Sequence, residues 1–289
     1  MAIQNSPNKN KHQLITVLPG DDLTHHILPL NSTPKSKPPK LGDGLSFNPK
    51  THRIHSTLAG RLYHKTSTNT FTILSNTKRY TPKINDRVLV IVEERTGKGG
   101  EYYRVTIPSS TCGTALLNSC GFEGATKRNR PNLSTGALLY CRVIVGVDGG
   151  NKVGASSGKD AAATAFSETE VTCLVDASDM SGASRKDWMT DEGTYGELKG
   201  GSSIQVGLGL ARELLNPRNV LLDELGASGI PFEICVGVNG MVWVNSIRPD
   251  YTILILNALR NSEVMTEEQV RGMVKALVKT VKLSMIEES

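Results

Sequence analysis

Long apolar runs are missing from this sequence of 289 residues. No stretch approaches the roughly eighteen uninterrupted apolar residues that a membrane-crossing helix needs, and the polar, lysine-bearing start from Met1 to His12 lacks the apolar segment of a secretory signal. Neither membrane insertion nor secretion is expected. Cysteine is also scarce: Cys112, Cys120, Cys141, Cys173 and Cys235 are scattered, odd in number and free of any Cys-x-x-Cys pair. That excludes a disulfide framework and fits reduced thiols buried as small hydrophobes.

Catalytic and cofactor patterns are missing too. Gly154-Ala155-Ser156-Ser157-Gly158 matches the Gly-x-Ser-x-Gly elbow in letters, but no buried strand and helix flank it to hold the strained turn such a nucleophile needs. Gly207-Leu208-Gly209 begins like a dinucleotide loop, yet Arg212 takes the third glycine position and no parallel βαβ pattern surrounds it. His25, His26, His52 and His55 have no Cys or carboxylate at ligand spacing, so no metal and no cofactor is expected. A hydrolytic alternative would use Ser156 or the acids Asp176 and Asp179, without a legible base, nucleophile and oxyanion set.

What is present begins with charge. The net +5 divides into +6 over residues 1–77, +6 over 78–145 and −7 over the remainder. A basic front and an acidic rear suit a chain that meets a polyanion with one half and protein with the other. The densest cationic stretch is Phe122-Glu-Gly-Ala-Thr-Lys-Arg-Asn-Arg-Pro-Asn132, where Lys127, Arg128 and Arg130 fall within four residues. They repel one another, and Asn129, Pro131 and Asn132 disfavour regular structure, so the loop reads as a phosphate-binding element. The competing reading is a solvated basic turn.

The order of elements supports the first reading. Leu14 to Leu18 is a strand ended by Pro19-Gly20-Asp21-Asp22. Asn31 to Lys40 is a Pro/Lys/Ser-rich connector, and short runs such as Arg53 to Ala59 and Thr70 to Leu74 complete a small β domain. Then Arg87 to Val92, Tyr102 to Ile107, Gly113 to Leu117, Ala137 to Val147 and Glu170 to Asp176 predict the five strands of an OB-type barrel. Such barrels bind single-stranded nucleic acid through cations and stacked rings. The basic loop lies between the third and fourth strands; Lys78, Arg79, Arg95, Lys98 and Arg104 add to its field. Of the adjacent Tyr102 and Tyr103, one must face inward and the other outward. Residues 148–167, rich in Gly, Ala, Ser and Lys, read as a flexible insertion.

Beyond it, Ser203 to Val206, Leu208 to Leu215, Asn219 to Leu225 ended by Gly226, Ile230 to Val236, Met241 to Asn245 and Pro249 to Arg260 give the order β-α-α-β-β-α of a KH module. Gly237-Val238-Asn239-Gly240 joins the last two strands, and Asn239-Gly240 favours a tight hairpin because both residues tolerate positive φ. The Gly-x-x-Gly clamp expected between the first two helices is replaced by Asn216-Pro217-Arg218-Asn219, so the usual KH grip on RNA is lost. A last helix opens on Thr266-Glu267-Glu268-Gln269, a capping-box pattern. Its apolar stripe, Val270, Met273, Val274, Leu277, Val278 and Val281, reads as intramolecular cover, with a partner's surface as the alternative.

Val17-Leu18-Pro19-Gly20-Asp21, the stretch Phe122 to Asn132 and Gly237-Val238-Asn239-Gly240 before Met241-Val242-Trp243-Val244 together resemble the ribosomal RNA-processing protein 40 family of eukaryotic RNA exosome cap subunits. The Gly-x-Asn-Gly hairpin is shared with the sister cap family, ribosomal RNA-processing protein 4. The resemblance implies a multidomain fold, mainly β with an α+β part. Its parts are a small N-terminal β domain (1–77), an S1-type OB barrel (78–180) and a divergent type I KH domain with an extra C-terminal helix (192–289).

It further implies a non-catalytic subunit that sits on RNase PH-like ring subunits beside other cap subunits. Such a subunit guides single-stranded RNA to the central channel for 3′-to-5′ processing, in the nucleus, nucleolus and cytoplasm. Gly237 to Gly240 would then be buried where the KH and S1 domains pack. The chain departs from the family at 148–167 and in added length around Ser178 to Gly201. Alternatives are the sister cap subunit and a stand-alone RNA-binding translation or ribosome-assembly factor.

Overall fold

The structure is a computed structural model that describes residues 15–28, 39–66, 68–75, 79–97, 99–146, 168–177, 179, 182–190 and 192–287, the last helix with side chains to Val281. The insertion at 148–167, with its Gly-x-Ser-x-Gly letters, lies outside the described residues. The chain divides into two compact units, Met1–Asn76 and Thr77–Ser289.

In the first unit, β1 (Ile15–Val17), a short α1 (Thr24–Ile27), β2 (Lys40–Leu41), β3 (Leu45–Asn48), β4 (Arg53–Ser56), β5 (Gly60–Lys65) and β6 (Thr70–Leu74) follow in order. A sheet β1-β5-β6-β2 and the hairpin β3–β4 form around Val17, Leu23, Ile27, Ile54, Leu62, Phe71 and Ile73. Val17, Ile54, Leu62, Phe71 and Ile73 are inward positions of short alternating strands, and Leu23 and Ile27 come from α1 and the residue before it. Among the described residues no His, Cys, Asp and Glu group is placed to hold a metal ion.

The second unit opens with the barrel: β7 (Arg87–Thr96), β8 (Tyr102–Thr106), β9 (Thr114–Phe122), β10 (Leu138–Val145) and β11 (Glu170–Cys173). The sheet runs β11-β9-β8-β7-β10, and β11 pairs with β10 to close it. Val88, Val90, Val92, Tyr103, Val105, Leu117, Leu139, Cys141, Val143 and Val171 fill the interior. Period-two alternation puts these residues inside and Tyr102, Arg104 and Asn118 outside. The Cys141 and Cys173 sulfurs lie 3.4 Å apart in this core as free thiols, and burial pushes the Cys141 thiol well up from its ordinary pKa.

A two-residue strand, β12 (Gly196–Glu197), pairs with β10 as a sixth member of the sheet. The segment before it, with a 3-10 turn at Trp188–Thr190, adds Tyr195 and part of Trp188 to the barrel core. It is fastened by Asp179, whose carboxylate accepts from the Tyr195 hydroxyl and lies 3.7 Å from Arg142 Nε and 3.9 Å from Arg87 Nε. Arg142 also donates to Asn85 Oδ1 at 2.9 Å and lies 3.4 Å from Asp176. The two acids of the hydrolytic alternative are therefore engaged in pairs that hold this segment on the barrel.

β13 (Ser202–Gln205), α2 (Leu208–Leu214), α3 (Val220–Ala227), β14 (Phe232–Val236), β15 (Met241–Ser246) and α4 (Pro249–Ser262) follow in the β-α-α-β-β-α order, with sheet order β13-β15-β14. α3 continues past Gly226 to Ala227, against the expectation that Gly226 ends it; the left-handed backbone comes at Gly229 instead, φ +76°. The loop that lacks the glycine clamp is closed by asparagines. Asn219 caps α3 by accepting from Leu222 N at 3.0 Å and donates to Glu213 O at 3.0 Å, while Asn216 accepts from Arg218 N at 3.2 Å.

α5 (Glu267–Glu287) lays Val270 and Val274 into the same core as Leu225, Ile255 and Leu259, with Met273, Leu277, Val278 and Val281 at its margin. Its stripe is thus intramolecular cover, and Gln269 Oε1 accepts from Thr266 N at 2.9 Å as the capping pattern requires. No helix among the described residues is long and apolar enough to cross a membrane.

Barrel and KH-type module share a buried boundary. β15 is buried on both faces: Val242 and Val244 join the helical core, whereas Met241 and Trp243 cover Leu89, which points out of the barrel. β8 pairs with β7 only from Ile91 to Thr96, which leaves the first part of that edge of β7 open. The β14–β15 turn fills it. Val238 N donates to Arg87 O at 2.8 Å; Asn239, fully buried, accepts from Leu89 N at 3.2 Å and donates to Leu89 O at 2.9 Å.

A Cβ on Gly237 would lie 2.9 Å from Leu89 N, closer than real side chains come, and Gly240 closes the turn at φ +79°. The tight hairpin is formed, with positive φ at Gly240 and not at Asn239. Its side chain is committed to Leu89, and the turn needs the left-handed region only once.

Candidate nucleic-acid interface

The basic loop leaves the barrel at Phe122, the end of β9, and returns at Leu138, the start of β10. Its tip is a tight turn: Thr126 N donates to Asn129 O at 2.8 Å, and Asn129 N donates to Thr126 Oγ1 at 3.1 Å. Lys127 and Arg128 occupy the two middle positions, exposed and without an ion pair to any described residue. Two adjacent guanidinium and ammonium groups with no carboxylate partner make a surface suited to phosphate.

Two sets of contacts hold that tip. On one side, Trp188 N donates to Glu123 O at 3.1 Å, Asn129 Nδ2 lies 3.7 Å from Met189 Sδ, and Gly124, at φ +75°, lies against the Asp187 carboxylate, which a Cβ there would displace. On the other side, Arg130 donates through Nη1 to Ser119 Oγ at 2.9 Å and through Nη2 to Gly99 O at 3.1 Å. Tyr103, 1% exposed, donates its hydroxyl hydrogen to Pro131 O at 2.9 Å and accepts from Leu133 N at 3.3 Å.

The other sequence-derived cations fall in different settings. Arg95 donates through Nε to Gly100 O at 3.0 Å, with its guanidinium carbon 5.6 Å from the Tyr103 ring centre. Arg104 stands opposite Glu94 on the outer face of the barrel, 3.7 Å from its carboxylate, so its charge is partly balanced. Arg79 is exposed beside β7's approach; Lys78 and Lys98 lie outside the described residues. Arg95, Arg130 and the turn between β7 and β8 therefore meet at one end of the barrel. Tyr102, 37% exposed, faces out beside Asn118 with its ring available for stacking. Its neighbour Tyr103 is the inward ring of the pair.

Sequence reasoning did not find the Asp187–Met189 support or the Ser119 and Gly99 acceptors. An apolar Trp188-Met189 pair within a polar stretch was the available signal for the first. Backbone carbonyls as partners for an arginine leave no sequence signal.

A closed OB barrel clasped to a KH-type module through a buried turn defines an S1/KH protein, whose barrel loops are the customary place for nucleic-acid contacts. Comparison with known proteins narrows this. The family model described as exosome complex component RRP40, S1 domain, matches residues 80–150, and a KH domain model matches residues 201–250. The exosome complex component rrp40 of Schizosaccharomyces pombe is 40% identical over 244 residues, spanning 83% of this chain and 87% of that protein. The putative exosome complex component rrp40 of Dictyostelium discoideum is 35% identical, spanning 80% and 82%. The human exosome complex component RRP40 is 32% identical, spanning 75% and 68%. The chain belongs to the exosome complex component RRP40 family.

Proposed function

We propose that this protein is a non-catalytic, RNA-binding cap subunit of the RNA exosome. It delivers single-stranded RNA toward degradation and 3′-to-5′ processing carried out by other subunits. The observation that carries the reading is the Lys127–Arg128 tip, exposed, unpaired among described residues and held on a barrel of the S1 family. Arg79, Arg95 and Arg104, with Lys78 and Lys98 by their place in the sequence, extend the positive field. Tyr102 offers a stacking surface, and Gly237 to Gly240 serve structure.

The modules 1–77, 78–180 and 192–289 divide the task. The cationic barrel meets RNA, while the KH-type module, without its glycine clamp, supports the barrel and contributes to assembly with RNase PH-like ring subunits and other cap subunits. Such a complex places the protein in nucleus, nucleolus and cytoplasm. The hydrolytic reading loses its acids, since Asp176 and Asp179 are occupied by Arg142, Arg87 and Tyr195.

Two measurements test this. Affinity purification of the full chain should bring ring proteins with it; recovery of ribosomal or translation factors alone would favour a stand-alone factor. Lys127→Gln with Arg128→Gln should weaken binding to oligouridylate and lower the log-log salt slope by about 1.4, at roughly 0.7 per phosphate contact. An unchanged slope removes RNA from the tip.

A further inference from the structure

We infer that Arg130 acts on RNA through position: it braces the Lys127–Arg128 tip and is not itself a phosphate contact. The inference rests on the RNA-binding reading above and assigns a different task to the third cation of the loop. Arg130 joins three segments of chain, its own loop, β9 through Ser119 Oγ and the β7–β8 turn through Gly99 O. Ser119 is 1% exposed, so one end of the brace is anchored in the barrel wall.

The next carbonyl, Gly100 O, is gripped by Arg95 Nε; Arg95 lies over Tyr103, and the Tyr103 hydroxyl returns to Pro131 O, one residue past Arg130. The contacts form a closed circuit around the return limb of the loop. A guanidinium suits this place because its planar fork supplies two donors in fixed directions, which an ammonium cannot. Two of the five N–H donors of Arg130 are committed to these acceptors, and swinging the guanidinium out onto a phosphate would break the brace, whereas Lys127 and Arg128 have no such bonds to give up.

The test uses the full chain, a fluorescent oligouridylate and titrations across salt, with amide exchange over residues 126–129. Lys127→Gln/Arg128→Gln should weaken binding about 25-fold at 0.1 M salt, from a slope lowered by about 1.4. Arg130→Lys keeps the charge and removes the fork. It should weaken binding by about tenfold, with lowered slope and faster exchange at 126–129, and add no further loss in the Lys127→Gln/Arg128→Gln background.

Ser119→Ala removes one acceptor and leaves every charge in place; it should move the same readouts in the same direction by a smaller amount. Binding by Arg130→Lys within about twofold of the parent, or a multiplicative loss in the double background, would show an independent phosphate contact and overturn the inference. If Lys127→Gln/Arg128→Gln leaves binding unchanged, the RNA reading of the tip fails on its own. The brace is then decided by exchange: acceleration in Arg130→Lys upholds it and unchanged protection ends it.

Discussion

The side-chain amide of Asn239 replaces a peptide group, meeting the N–H and C=O of Leu89 where β8 has stopped pairing with β7. Asn239→Ala would leave both Leu89 groups buried without partners, and each such group costs about 1–3 kcal/mol. Urea denaturation should register a loss of about 2–5 kcal/mol. Asn239→Asp should lose at least as much, because a carboxylate cannot donate to Leu89 O and its charge would be buried.

Cys235 offers a second residue-scale test. Burial pushes its thiol up to about 12. The neutral form is the folded form, so its contribution to stability is complete below the unfolded thiol value and fades as pH rises toward 12. At pH 8 iodoacetamide should alkylate Cys235 more slowly than an unfolded cysteine, which mass spectrometry of the native protein can follow. Labelling at the rate of the unfolded chain would show that the fold does not hold this thiol in its neutral form.

At the scale of elements, the loop from Glu123 to Pro131 owes its shape to neighbours distant in sequence. Gly124→Ala would place a methyl against the Asp187 carboxylate at a left-handed φ and should cost about 1–2 kcal/mol. Faster amide exchange at Lys127 and Arg128, with weaker oligouridylate binding, is the expected signature. A variant with parental exchange would show that Asp187–Met189 does not support the tip.

The same scale shows what the sequence makes legible. Alternation in Arg87 to Val92 and Tyr102 to Ile107 announces strands with one face in a core, and the order from Ser203 to Arg260 announces a KH-type module. β12 is two residues long, too short to alternate, and its pairing is decided by β10. Arg130 shows the limit for sites: a cation in a loop has the same letters whether it faces phosphate or two neutral acceptors. Gly226 was a plausible helix stop, yet Gly229 has the required backbone; composition alone does not rank two nearby glycines.

For the whole molecule, barrel and KH-type module should unfold together. Leu89, Met241 and Trp243 form one buried cluster across their boundary, and Leu208 at the head of α2 belongs to the barrel core. The chain has two tryptophans, Trp188 beside the barrel and Trp243 on β15. Single-tryptophan variants, Trp243→Phe and Trp188→Phe, therefore report the two sides separately by fluorescence. In each variant the fluorescence midpoint in urea should match the far-UV circular dichroism midpoint, and the two should separate once Asn239→Ala is added. Disagreement of the two probes within one variant before that change would mean that the boundary is too weak to couple the modules.

Tyr103 connects these scales through a single hydroxyl, which donates to Pro131 on the basic loop while its ring stays packed among the barrel's interior residues. A fluorine placed on that ring would sit out of reach of solvent yet feel every shift of the loop. The protein thus carries an internal gauge: a nuclear resonance recorded from the middle of the barrel would report a shift of the basic loop without any label on the loop itself.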